Sequence, residues 1–206
     1  MTLIIIIITS LISILCFSNK DLFYRLQFNA YQIVHRKEVH RMLTHGFVHA
    51  NWWHLIVNML VLYFFGRNVE YILLSKAAEG MIRFPRLTYI LFYLAAIIFS
   101  STISLVQHRN NHWYNSVGAS GAVTATLFFT IFFQPWAKVC LYAFICIPGI
   151  IFGVVYLIYS HYMSRRGGDN INHDAHLLGA VFGFIMPLFI DISLIKDFFS
   201  ELMSIF

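Results

Sequence analysis

The chain has 206 residues, of which 59% are hydrophobic and only 11% charged, against about 25% charged in an ordinary soluble domain. With a mean hydropathy of +0.72, this excludes a soluble globular protein, a disordered segment and a nucleic-acid-binding domain. The net charge of +5, from 14 Lys/Arg and 9 Asp/Glu, fits interfacial anchors and anionic lipid better than nucleic acid.

A bilayer core about 30 Å thick takes roughly 20 apolar residues per spanning helix, so six helices use about 120 residues and leave about 86 for loops and ends. The expected fold is therefore a single all-α membrane domain over residues 1–206, a six-transmembrane-helix bundle with a short central fourth helix. The first span is expected at about residues 2–18. This Ile/Leu run lacks a basic leading region and an A-x-A cleavage site, so it reads as an uncleaved span and not as a signal peptide. Residues 19–41 mix charges with aromatic and leucine residues, which suits a loop lying in the interface. Further spans are expected at about 52–71, 87–106, 119–134, 139–159 and 174–191. Pro135 ends the fourth run, and Arg165-Arg166-Gly167-Gly168 reads as a turn. The Lys/Arg residues divide too evenly between the two sides to fix orientation. Cys16, Cys140 and Cys146 all lie in apolar runs, and their odd number and placement suggest packing roles and no disulfide framework.

Ionisable groups are costly in apolar segments, so the ten histidines mark where function is expected. The fourth run, Ser120 to Gln134, gives about 22 Å of helix, less than the bilayer core. It opens with Gly118-Ala119-Ser120-Gly121-Ala122. A serine there sits among unpaired N–H groups at the positive end of a helix, where an oxyanion can be stabilised. The same small residues equally suit close helix packing. The sixth span opens with His173, Asp174 and His176. Its Ala175, Gly179 and Gly183, four apart, make a strip of small residues along one face. His176 lies beside that strip, where a neutral imidazole can take a proton from a serine or simply bond across helices. Asp174 is two residues from His176 and faces elsewhere, so it is not read as part of a triad. On the second span His54 and Asn58 are i,i+4, and both can donate hydrogen bonds to an oxyanion. His45, His49 and His54 offer a metal-ligand alternative, but H-E-x-x-H is absent and no acidic residue lies in that stretch.

Taken together, three motifs in order resemble the rhomboid intramembrane serine proteases. They are R-x-x-T-x-x-F-x-H-x-x-x-x-H-L-x-x-N at Arg41–Asn58, G-x-S-G at Gly118–Gly121, and A-H-x-x-G-x-x-x-G at Ala175–Gly183. Gly66–Glu70 is similar to the family's G-x-x-x-E element. The resemblance covers residues 1–190. It implies an intramembrane serine endopeptidase with Ser120 as nucleophile and His176 as general base and then acid. It also implies an oxyanion hole from His54, Asn58 and the N–H of Ser120, with His49, Gly118 and Gly179 supporting the site. Expected substrates are single-span membrane proteins cut at or just inside the bilayer boundary, with the lipid bilayer itself as the other partner. No cofactor, metal or nucleic acid is implied. The family topology puts the N-terminus in the cytoplasm, and the short loops suit a bacterial inner membrane.

The chain departs from the family pattern at His40-Arg41, where many members have Trp-Arg, and at Thr124, where some have an aromatic packed on the histidine. The fifth span and the loop 161–172, with its Gly167-Gly168 pair, are the expected gate. Two other functions compete with this reading. A catalytically silent rhomboid-like protein that binds membrane clients usually lacks the serine or the histidine, and both are present here. A transporter or metal-handling protein predicts repeated halves, and the sequence has no repeat.

Overall fold

The first helix shows how the sequence suits a hydrocarbon solvent. The computed structural model describes residues 1–141, 145–166 and 171–205. In it α1 (Thr2–Ser18) buries Thr2, Ile5, Thr9, Ser13 and Cys16, while Leu3, Ile7, Leu11 and Leu15 are more than half exposed. Small polar groups facing inward and branched apolar groups facing outward invert the pattern of a soluble helix, as lipid requires.

The interfacial segment folds into three short helices, α2 (Lys20–Leu26), α3 (Ala30–Arg36) and α4 (Arg41–Thr44), followed by a 3-10 turn at His45–Phe47. Asn19 and Asn29 cap α2 and α3 by accepting from the N–H of Leu22 and Gln32. Arg41 is the brace: its Nη1 donates to the carbonyls of Tyr24 (2.6 Å) and Gln27 (2.8 Å) and its Nε to Glu38 (2.6 Å). A planar guanidinium with five donors can close three such bonds at once.

Asn51 caps α5 (Trp52–Ala78), whose buried residues recur with the helical period from Leu55 and Asn58 to Leu73. Gly66 lets the Tyr89 hydroxyl approach, and Thr2 Oγ1 reaches both Glu70 (3.0 Å) and that hydroxyl (3.2 Å), tying α1, α5 and the next helix together. α6 (Pro85–Ser100) opens with proline at its first turn, where no N–H is needed, and α7 (Thr102–Gln107) continues it. Among the described residues two helices are long and apolar enough to cross a membrane unaided, Trp52–Ala78 and Pro85–Gln107.

α8 (Ser120–Phe133) is the centre of the molecule: every residue from Gly121 to Phe132 is buried. At about 21 Å it falls short of the bilayer core. The expected fifth span at 139–159 needs correction. Its first part is a hairpin of β1 (Lys138–Leu141) and β2 (Ile145–Pro148), and α9 runs later, over Gly149–Arg166. Short apolar runs rich in Val, Ile and aromatics satisfy strand and helix patterns alike, and Pro148 would remove a hydrogen bond from a helix running through it. The cysteine reading is also overturned. Cys140 and Cys146 are directly paired across the hairpin and form a disulfide, leaving Cys16 buried and free.

α10 (His173–Ile185) packs on α8, and Pro187 ends it by starting α11 (Pro187–Ile190). α12 (Leu194–Leu202) closes the lower end of α8, where Phe198 and Phe184 pack on Phe132 at 5.3 and 5.4 Å between rings. The Gly167-Gly168 pair expected to give the gate its flexibility lies outside the described residues.

Candidate active site

The site is built on the contact between α8 and α10. A Cβ at Gly179 would lie 2.1 Å from the carbonyl oxygen of Gly121, and one at Gly183 2.1 Å from that of Ala125. The two backbones therefore touch directly, which only a hydrogen in place of a side chain allows. At the upper end the Ala175 carbonyl comes within 3.2 Å of where a Cβ of Gly121 would stand. Ser120 and His176, each one residue from this contact, thus stand at the same end of the helix pair. Both are half-buried, while the rest of α8 from Gly121 to Phe132 is buried.

The loop before Ser120 is held from the other side. Gly118 has φ +121°, a left-handed value suited to glycine, and the His54 imidazole fills the space a side chain would need, 2.6 Å from the ideal Cβ. His49 reads the loop backbone. Ser13 Oγ donates to the Phe47 carbonyl (2.9 Å), so toward His49 Nδ1 (2.9 Å) it is the acceptor. Nδ1 therefore carries the proton, and Nε2 is left to accept the N–H of Ala119 at 3.4 Å. Burial, reinforced by the neighbouring His54, pushes the His49 imidazole down to about 3, so the ring stays neutral. His45 supports the same loop: its carbonyl accepts the Gly118 N–H (3.0 Å) and its own Nδ1 donates to the Arg41 carbonyl (2.9 Å). Burial takes this ring down to about 4.

Ala119 caps α8 without a side-chain acceptor, so the first-turn N–H groups, that of Ser120 among them, receive no cap from it. Asn58 is buried on α5 and gives one of its two amide protons to the His54 carbonyl at 2.8 Å.

The surroundings of His176 include a residue the sequence reading missed. Tyr156 on α9 stacks against the His176 ring with centroids 6.3 Å apart and planes at 24°. Its hydroxyl bonds Thr124 Oγ1 at 3.1 Å. Thr124 is thus the anchor for an aromatic from another helix. A tyrosine inside an apolar run, whose hydroxyl must find a partner, was the available signal. Asp174 is bonded by Ser164 Oγ of α9, and Asn172 caps α10 while its amide donates to Ser104 (2.9 Å). Among the described residues no group of three or more His, Cys, Asp or Glu side chains is arranged to hold a metal ion.

A family model described as the Rhomboid domain matches residues 36–191 of the chain. The curated RHOMBOID-like protein 12, mitochondrial, of Arabidopsis thaliana is 28% identical over 157 residues, which is 69% of this chain and 44% of that protein. The chain thus spans less than half the length of that relative.

Proposed function

The chain belongs to the rhomboid family, which is membrane-embedded, and from that premise we propose that it is an intramembrane serine endopeptidase. Ser120 Oγ attacks the scissile carbonyl of a single-span membrane protein as His176 takes its proton. The oxyanion is held by the N–H of Ser120, His54 and Asn58. His176 then protonates the departing amine, and a water molecule activated by the same imidazole releases the acyl group. No carboxylate joins the dyad in this reading, since the Asp174 side chain is engaged by Ser164. The bundle is read as six spans, with α8 as the short one. The short loops favour a bacterial inner membrane, while the relative's name denotes a mitochondrial protein.

The observation that supports this reading is the direct contact of α8 and α10, where Gly179 sits on the Gly121 carbonyl and Ala175 approaches Gly121, the residues next to Ser120 and His176 being Gly121 and Ala175. The test uses the full chain in detergent with a single-span substrate, comparing wild type, Ser120→Ala and His176→Ala. Cleavage is expected from wild type and lost in both variants. Cleavage that survives Ser120→Ala refutes the mechanism. Binding of the substrate with no cleavage by wild type supports the silent, client-binding alternative instead.

A further inference from the structure

α9 sits loosely on the bundle: Gly149, Gly153 and Ser160 are its buried residues. Between α9, α10 and α8 lies a cavity of about 340 Å³ with apolar walls, among them Phe128, Ile131, Gly153 and Phe184. Leu157 and Val181 also line an outer groove, whose rim carries His161, Tyr162, Arg165 and Arg166. Both arginines are exposed, and among the described residues no carboxylate pairs with either. The nearby Asp174 is taken by Ser164. Arg166 donates to the Tyr162 hydroxyl at 3.4 Å and lies over that ring, which orients it without neutralising it.

An apolar slot with a cationic mouth, in a chain surrounded by lipid, matches one kind of occupant. We propose that the α9–α10 crevice binds one anionic phospholipid, with an acyl chain in the slot and its phosphate on Arg165 and Arg166. The length agrees. From Gly153 to Arg166 the helix advances about 20 Å, close to the roughly 20 Å from the bilayer midplane to its headgroups. The volume agrees too. At about 30 Å³ per water-sized group, 340 Å³ takes roughly eleven such groups, a single file of methylenes. A substrate's transmembrane helix, about 10 Å across, does not fit the slot. Guanidinium forks suit phosphate oxygens, and two of them favour an anionic headgroup over a zwitterionic one.

The chain in the slot rests against Leu157, the residue next to Tyr156, whose ring stacks on His176, and it leaves the slot through the outer groove past Leu177. The lipid thereby influences how closely α9 approaches α10. This consequence for activity rests on the protease reading, but the binding itself does not.

The test is native mass spectrometry of the full chain released from mixed phosphatidylcholine–phosphatidylglycerol nanodiscs. Wild type is expected to retain one phosphatidylglycerol in preference to phosphatidylcholine. Arg165→Gln with Arg166→Gln, both exposed and tolerant of change, is expected to lower that preference about tenfold or more. Val181→Trp, which fills the slot, is expected to abolish retention of either lipid. Arg83→Gln with Arg86→Gln, before and at the start of α6, controls for overall charge and should leave the preference intact. An unchanged preference in the Arg165/Arg166 variant, or an equal loss in the Arg83/Arg86 variant, overturns the proposal. Cleavage is not measured, so either result leaves the protease reading untouched.

Discussion

Gly179→Ala should damage the site out of proportion to its size. The added Cβ would stand 2.1 Å from the Gly121 carbonyl oxygen and 2.9 Å from its carbon. An ordinary carbon–oxygen contact is about 3.3–3.6 Å, so the two backbones must part by about 1.2 Å at that point. Backbone atoms cannot rotate out of the way, so α10 must tilt or slide as a unit. Overpacking of this kind costs about 1–3 kcal/mol of stability. The activity loss should be larger. Ser120 and His176 flank the strained contact, and about 1 Å of misplacement can lower a rate by about a hundredfold. Gly183→Ala provides the comparison, because its Cβ meets the Ala125 carbonyl at the same 2.1 Å but one turn further from His176. Thermal unfolding in detergent should show similar destabilisation of the two variants. Cleavage of a single-span substrate should show Gly179→Ala losing at least tenfold more kcat. Equal kcat in the two variants, or wild-type kcat in Gly179→Ala, would refute the reasoning.

Tyr156→Ala removes the ring stacked on His176 and should lower kcat by up to about tenfold, the equivalent of about 0.5–1.5 kcal/mol for an aromatic contact. KM should stay nearly constant, and Tyr156→Phe, which loses only the Thr124 bond, should recover most of the rate. A change in KM alone would point to substrate contact and not to positioning of the base. Acid should weaken the fold through His45. Its ring is held near 4 in the folded protein against 6.5 ordinarily, so the unfolded chain binds more protons between those values. Its contribution is present above about pH 6.5 and fades as pH falls toward 4, by up to about 3 kcal/mol. Unfolding temperatures measured across that range should fall with acid, and His45→Gln, able to donate to the Arg41 carbonyl, should flatten the decline. An unchanged decline in that variant would assign the acid sensitivity elsewhere.

Much of the helical framework could be read from local pattern. The Ile/Leu run of α1, the Pro85 start of α6 and the Pro135 stop after α8 are all written in consecutive residues. So is the strip Ala175, Gly179, Gly183, because small residues four apart share one helix face. The stretch 138–148 could not be read this way. Its apolar residues fit a span by composition, and only pairing of Cys140 with Cys146 across the hairpin makes it a sheet. α12 was missed for a related reason. Leu194 and Phe198 gain their meaning from the gap below a central helix that ends early.

The candidate site divides in the same way. The sequence by itself determined the solvent, the shortness of α8 and the polar residues that stand out against an apolar background. These follow from composition and from the fixed rise of a helix. The tertiary structure decided which atoms meet: His54 on Gly118, His49 accepting the N–H of Ala119, Gly179 on Gly121, and Tyr156 reaching Thr124 and His176 from a third helix. Those contacts join residues 20 to 70 positions apart. No local periodicity encodes them, because they depend on how closely two backbones can approach once the whole bundle has packed.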